Sequence, residues 1–257
     1  MGALFSCPGY FFIETNITRS FSKIKTWLRL IPLLSFFFSA AAFASGVQPE
    51  TSVIIINEAQ KGGSINIKNT ENVPLLLYTR VVDLPDDPTP GLIVTQPVAR
   101  LEPGQSQRVR FVLNTDGPLQ REHIKRVWFE GIAEQTSGGN VGVTIRHDLP
   151  AIIVPKGVKA KRELWNDLSW SVSGDRLLIS NTGKQVVRLA QQISLQPADV
   201  MLSLSKNYIL PGETLTVSAP DGVRLSDARE IGFSPVTRYG FSVGLQKADL
   251  NGKSVVQ

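Results

Sequence analysis

From Val53 onward, apolar residues recur at every second position in short runs, and Gly, Pro, Asn or Asp ends each run. Successive side chains of a strand point to opposite faces, so this rhythm marks half-buried β-strands. No segment sustains a helical period, and no repeat of identical units is visible. The first strand is read at Val53 to Ile56. Ile65 and Ile67 alternate with Asn66 and Lys68, and Leu75 to Val82 follows, rich in β-branched and aromatic residues. Asp83 to Gly91 holds three prolines and three aspartates and reads as a loop. After the Pro103-Gly104 turn, Val109, Phe111 and Leu113 alternate with Arg108 and Arg110. Val127 to Ala133 is a further strand, with Trp128 in it. Ser137-Gly138-Gly139-Asn140 is a loop. Val141, Val143 and Ile145 open the last strand of this half, which runs on through Ile152, Ile153 and Val154.

About seven strands in roughly 110 residues is the count of an immunoglobulin-like sandwich. Pro155-Lys156-Gly157 ends the half and reads as a linker. A second set of strands follows, at Arg176–Ser180, Val186–Leu195, around Leu215 and Val217, at Ile231–Phe233 and at Phe241–Leu245, with turns at Asn181-Thr182-Gly183 and Pro211-Gly212. The fold class is therefore all-β, two immunoglobulin-like β-sandwich domains in tandem, with residues 45–156 as the first and 157–257 as the second.

Residues 1–44 have another character. Arg19, Lys23, Lys25 and Arg29 precede an apolar run from Leu30 to Phe43, and Ala42-Phe43-Ala44 is a small-x-small cleavage pattern. The run is short for a membrane span. It reads as a cleaved signal peptide, with Ser45 as the new N-terminus and no stable membrane insertion afterwards. The whole chain has 27 basic and 22 acidic residues; this segment takes four and one of them, leaving 23 and 21, a net of +2. The basic balance thus belongs mostly to the segment removed, and a nucleic-acid partner loses its support. Cys7, the only cysteine, leaves too, so the exported chain has no disulfide and depends on its cores.

No catalytic constellation emerges, and the chain reads as a non-enzyme. From Ser45 on, the histidines are His123 and His147, not at metal-ligand spacing, and no serine sits in a nucleophile elbow. Gly138-Gly139-Asn140-Val141-Gly142 joins two strands, whereas a phosphate cradle needs a helix N-terminus behind it. Asp83, Asp86 and Asp87 are calcium-ligand types, but among prolines they read as a solvated turn. No metal or cofactor is expected.

The order of features resembles the periplasmic chaperones of the chaperone–usher pathway, the PapD-like family, over nearly all of the exported chain. The most specific stretch runs Ile93-Val94-Thr95-Gln96-Pro97-Val98-Ala99-Arg100-Leu101-Glu102-Pro103-Gly104-Gln105. Arg121-Glu122 then precedes the strand with Trp128 and Phe129. Leu177-Leu178-Ile179-Ser180-Asn181 and Tyr239-Gly240 fall where the family has similar residues. The resemblance implies a periplasmic chaperone that binds pilus or fimbrial subunits by donor-strand complementation and passes them to an outer-membrane usher. Better-known members grip the subunit's terminal carboxylate with an arginine and a lysine; here those positions hold Ser52 and Pro150. Leu149-Pro150-Ala151-Ile152-Ile153-Val154 looks more like the divergent, archaic branch.

On this reading Val141, Val143 and Ile145 form the donor strand, three aliphatics on one face with Gly142, Thr144 and Arg146 on the other. By alternation alone their own domain's core is the stronger reading, and the resemblance reverses that order. Arg126 and Arg146 are the candidate carboxylate anchors, since guanidinium suits two oxygens; a solvated charge at a sheet edge is the other reading. A second function class stays open, a secreted carbohydrate-binding or adhesive β-sandwich module, which would cluster aromatics on exposed loops. Trp165 and Trp170 are the residues to watch, as core or as surface.

Overall fold

A computed structural model describes residues 46–133, 144–197, 199–220 and 222–250 of the chain. The signal-like segment lies outside the described residues. Among them no helix is long and apolar enough to cross a membrane.

The first half contributes β1 (Val47–Pro49), β2 (Ile54–Asn57), β3 (Gly62–Asn69), β4 (Leu75–Val82), β5 (Gly91–Val94), β6 (Val98–Leu101), β7 (Ser106–Asn114), β8 (His123–Ala133) and β9 (Arg146–Val154). They hydrogen-bond in the order β5-β7-β3-β2-β9-β8-β4-β6, with β1 on β3. β5 and β6 are neighbours in sequence yet stand at opposite ends of that order, so the ladder folds over on itself as a sandwich. The core shows why. In β7, Val109, Phe111 and Leu113 are buried and Arg108 and Arg110 exposed. In β4, Leu75 and Leu77 are buried while Leu76 and Tyr78 face out. These residues share one apolar cluster with Ile65, Ile67, Val127, Phe129 and Ile153. A one-residue slip would turn each set to water.

β1 and β2 are one extended stretch that changes layers. β1 pairs with β3 through Pro49↔Ile67, whereas β2 pairs in parallel with β9, Ile54↔Ala151 to Asn57↔Val154. Glu50 to Val53 is the crossover, held by Asn66, whose backbone and side-chain nitrogens both reach the Glu50 carboxylate at 2.8 Å. The Pro103-Gly104 turn uses a left-handed Gly104, φ 72°, a conformation that favours glycine.

The second half contributes β10 (Leu168–Ser173), β11 (Arg176–Asn181), β12 (Val187–Gln196), β13 (Val200–Ser203), β14 (Tyr208–Ile209), β15 (Thr214–Ser218), β16 (Glu230–Val236) and β17 (Gln246–Asp249). One sheet runs β10-β11-β15 and the other β13-β12-β16-β17, with β14 on β12. Trp165 and Trp170 are buried in the core between them, and the Trp170 and Phe233 rings meet at 4.9 Å. The closing strand corrects the sequence expectation. Phe241 to Leu245 is exposed and forms part of the hairpin after β16; the strand that pairs with β16 begins at Gln246. Alternation there does not mark a buried face. Among the described residues β9 begins at Arg146, and Thr144 and Ile145 precede it outside any strand.

A third apolar cluster joins the two halves: Val53, Ile124 and Ile152 against Val186 and Leu210. Polar clasps surround it. The Glu122 backbone N–H donates to Lys184 O at 2.8 Å, and Arg121 Nη1 to Pro211 O at 2.9 Å. Asp86 accepts from Lys206 Nζ and from Tyr208 Oη.

Candidate binding edge and interdomain cleft

β9 is unequally covered along its two sides. β8 pairs with it throughout, from Glu130↔Arg146 to His123↔Ile153, but β2 pairs only with Ala151 to Val154. Among the described residues, the other side of Arg146 to Pro150 has no strand partner. A groove opens there between β9 and the crossover, lined by Pro49, Glu50, Thr51, Ser52, His147 and Leu149. An unpaired edge beside a groove is a template for another chain.

Val141 and Val143 lie outside the described residues. Ile145 lies just before β9 and is 40% exposed, so it is not in its own domain's core.

The arginine candidates occupy the outer face of β8 and the start of β9. Arg126 stands opposite Pro150. Its Nε donates to Asp148 Oδ1 at 2.8 Å and its Nη2 to Asp148 O at 2.9 Å. Arg146 pairs with Glu130 at 3.3 Å, and its guanidinium lies 4.6 Å from the Trp128 ring centroid. The structure does not bring the two together: four ladder steps separate them, about 13 Å at strand rise. Each already has a carboxylate. Ser52, in the crossover, donates to Tyr239 O at 3.1 Å. Gly240 follows with φ 93°, and a Cβ there would lie 2.5 Å from Ser52 Oγ, so the hairpin needs glycine to close on the crossover.

Sequence reasoning missed Arg188. It sits on β12 between the core residues Val187 and Leu189, facing outward and half-buried. Its Nη2 donates to Thr237 O at 3.2 Å. Burial first, and then the charge of Arg126, hold its pKa below the ordinary arginine value. No spacing signal marks it, because its neighbours in the cleft come from remote parts of the chain. The aspartates of the 83–91 loop have protein partners: Asp83, itself exposed, meets the fully buried Lys125 at 2.9 Å, Asp86 meets Lys206, and Asp87 meets the His123 ring at 2.7 Å. The solvated turn expected there is a clasp. Trp165 and Trp170, as core, do not supply the exposed aromatic cluster of a carbohydrate-binding module.

Tandem immunoglobulin-like sandwiches with a partly unpaired strand are the architecture of one class of assembly chaperones, and comparison with known proteins places the chain there. Residues 46–159 match the family described as pili and flagellar-assembly chaperone, PapD N-terminal domain. The chain is 41% identical over 214 residues to the fimbrial chaperone YhcA of Escherichia coli, covering 82% of this chain and 94% of that one. The chain therefore belongs to the fimbrial chaperone family. Its fold is similar to the structure of the Salmonella enterica SafA pilin in complex with the SafB chaperone, with TM-score 0.65 and 21% identity over 82% of this chain and 99% of that one. The E. coli chaperone DraB gives TM-score 0.64 and 22% identity over 80% and 98%.

Proposed function

We propose that this protein is a periplasmic chaperone that captures pilus subunits by lending them a strand, then delivers them to an outer-membrane usher. The observation that carries the reading is the free side of β9 at Arg146 to Pro150, continuous in sequence with Val141, Val143 and Ile145. A subunit that lacks one strand of its own sandwich has an unpaired edge and an open core groove, both prone to aggregation. Backbone hydrogen bonds from the lent strand satisfy the edge, and alternate aliphatic side chains fill the groove. Three buried aliphatics contribute about 5–8 kcal/mol gross, at roughly 1.5–3 kcal/mol each, less the ordering and association costs.

In this reading residues 1–44 direct export and are removed, residues 45–156 form the lending domain, and 157–257 the second sandwich. Arg126 is the better placed of the two anchor candidates, level with Pro150 on β8 and one strand across β9 from the end of the free edge, while Arg146 stands four residues back at the start of β9. The role is binding rather than catalysis.

Co-purification from periplasm, with and without a co-expressed pilin, tests the reading. A stable one-to-one complex is expected. A chaperone that stays in the cytoplasm, or that leaves periplasmic with the pilin aggregated beside it, overturns it.

A further inference from the structure

We propose that His147 marks the seam between the lent length of β9 and the length that serves its own sandwich, and that its ring there meets an uncharged hydrogen-bonding group of the captured subunit. The assignment rests on the chaperone reading and names a polar, register-setting contact within it.

Alternation puts Val141, Val143, Ile145, His147, Leu149, Ala151 and Ile153 on one face, and His147 is the only polar residue among them. Where that face is described, its surroundings change along the chain. Ala151 and Ile153 are fully buried in their own core and Leu149 is 8% exposed, whereas Ile145 is 40% exposed. His147 stands at the change and is half-buried. It lies opposite Phe129 of β8, so it shares the core side of the sheet with a fully buried ring. β8 covers it on one side, and on the other lies the groove beside the crossover.

The free protein gives this ring nothing to bond: it makes no hydrogen bond or ion pair among the described residues. The polar groups that line the groove from the crossover are already engaged. The Glu50 carboxylate accepts from Asn66, Thr51 Oγ1 donates to Val53 O at 3.0 Å, and Ser52 Oγ donates to Tyr239 O at 3.1 Å. On β9 itself Arg146 is paired with Glu130 and Asp148 with Arg126. β1 carries no charged residue, and β8 presents Phe129. The ring is therefore left to solvent. A guest strand on the free edge removes that solvent, and a polar group covered without a partner is costly. The partner must come from the guest. Covering an imidazolium costs more than covering the neutral ring, so the neutral ring is the binding form. A slip of the guest by one alternate position would push His147 into the subunit's apolar groove in place of Ile145, so the ring also holds the register.

The test uses the full chain with His147→Gln and His147→Leu, each co-expressed with a pilin. Pilin recovered per chaperone is measured at about pH 7.5 and after exchange to about pH 5.5, the range in which histidine takes up a proton. Glu50 stays ionised across that range, because the Asn66 hydrogen bonds hold its carboxyl below the usual value. The Tm of each free chaperone is read alongside. Wild type should retain roughly three- to tenfold less pilin at the lower pH. His147→Gln keeps a neutral hydrogen-bonding group; it should capture within about threefold of wild type at the higher pH and lose that extra fall at the lower. His147→Leu should capture about tenfold less at the higher pH, as for a covered polar group left unpaired. Both variants should keep the wild-type Tm. Full capture by His147→Leu overturns the polar contact. An equal fall with pH in wild type and His147→Gln overturns the assignment to this ring. Capture that strengthens on acidification would mean that the ring meets a carboxylate as a cation, and overturns the neutral contact. A lowered Tm in both variants places the ring in its own core and overturns the seam. If wild type captures no pilin at either pH, the chaperone reading itself fails and takes this contact with it.

Discussion

Nη2 of Arg238, in the hairpin after β16, lies 2.6 Å from Oε1 of Glu122, whose side chain is 1% exposed at the head of β8. The same carboxylate accepts from Gln185 Nε2 at 3.1 Å and from the Val186 N–H at 3.0 Å. One buried acid of the first sandwich thus accepts two hydrogen bonds from the second and pairs with its Arg238 cation. Removing it leaves Arg238 without its counter-charge and the Val186 N–H without its acceptor. Glu122→Ala is expected to destabilise the protein by about 3–5 kcal/mol, the usual cost of breaking one side of a buried pair. Urea unfolding followed by tryptophan fluorescence measures it; a loss below about 1 kcal/mol would show that the clasp adds little.

The second clasp should respond to acid. Burial raises the Asp86 pKa, but hydrogen bonds from Lys206 and Tyr208 and the charge of Lys206 outweigh it, so the net shift is downward. A carboxyl depressed in the folded state stabilises fully above its unfolded pKa, near 3.9, and loses that contribution as pH falls through the folded value. Wild-type stability minus that of Asp86→Asn should be constant from pH 7 to 5 and shrink below about pH 4. A difference that does not change between pH 5 and 2 would contradict the clasp.

For the lent strand, the contrast between neighbours is decisive. Val143→Asp should abolish stable pilin capture and leave the free chaperone folded, because a carboxylate forced into an apolar groove costs several kcal/mol or must take up a proton. Thr144→Asp points to the opposite face and should do much less. Pilin co-purification and thermal unfolding of both variants provide the readout. Unfolding of the Val143 variant alone would place that residue in its own core.

The two sequence-derived anchors should also differ. Arg126→Ala is expected to reduce capture about tenfold or more, since its charge stands on β8 level with Pro150, across β9 from the end of the free edge. Arg146→Ala gives up an exposed pair with Glu130 and a contact with Trp128, and should change capture less than twofold. Equal losses in the two would move the anchor away from the cleft.

Much of the fold was legible in the residues because each strand buries one face. Val109, Phe111 and Leu113, or Ile65 and Ile67, could be placed from alternation and are in the core. Where that condition fails, the reading fails. β1 is a three-residue strand with no alternation to see, and it was missed. Phe241 to Leu245 alternates but is exposed, so the closing strand was placed too early. The run from Ile93 to Gln105 carried the resemblance to the family.

What the sequence determined by itself is therefore local: which residues form strands and which face of each is apolar. What only the tertiary structure decided is which remote groups meet. β2 stops at Ala151 on β9 and leaves the edge before it free. Lys125, which alternation would place as an ordinary strand residue, is fully buried because Asp83 and the Asp87 carbonyl reach it from a loop. Glu122, at the head of β8, meets Arg238 from the other sandwich, more than a hundred positions along the chain. Periodicity reports the solvent on either side of a strand; charge pairing depends on distance in space, and only the packed fold sets that distance.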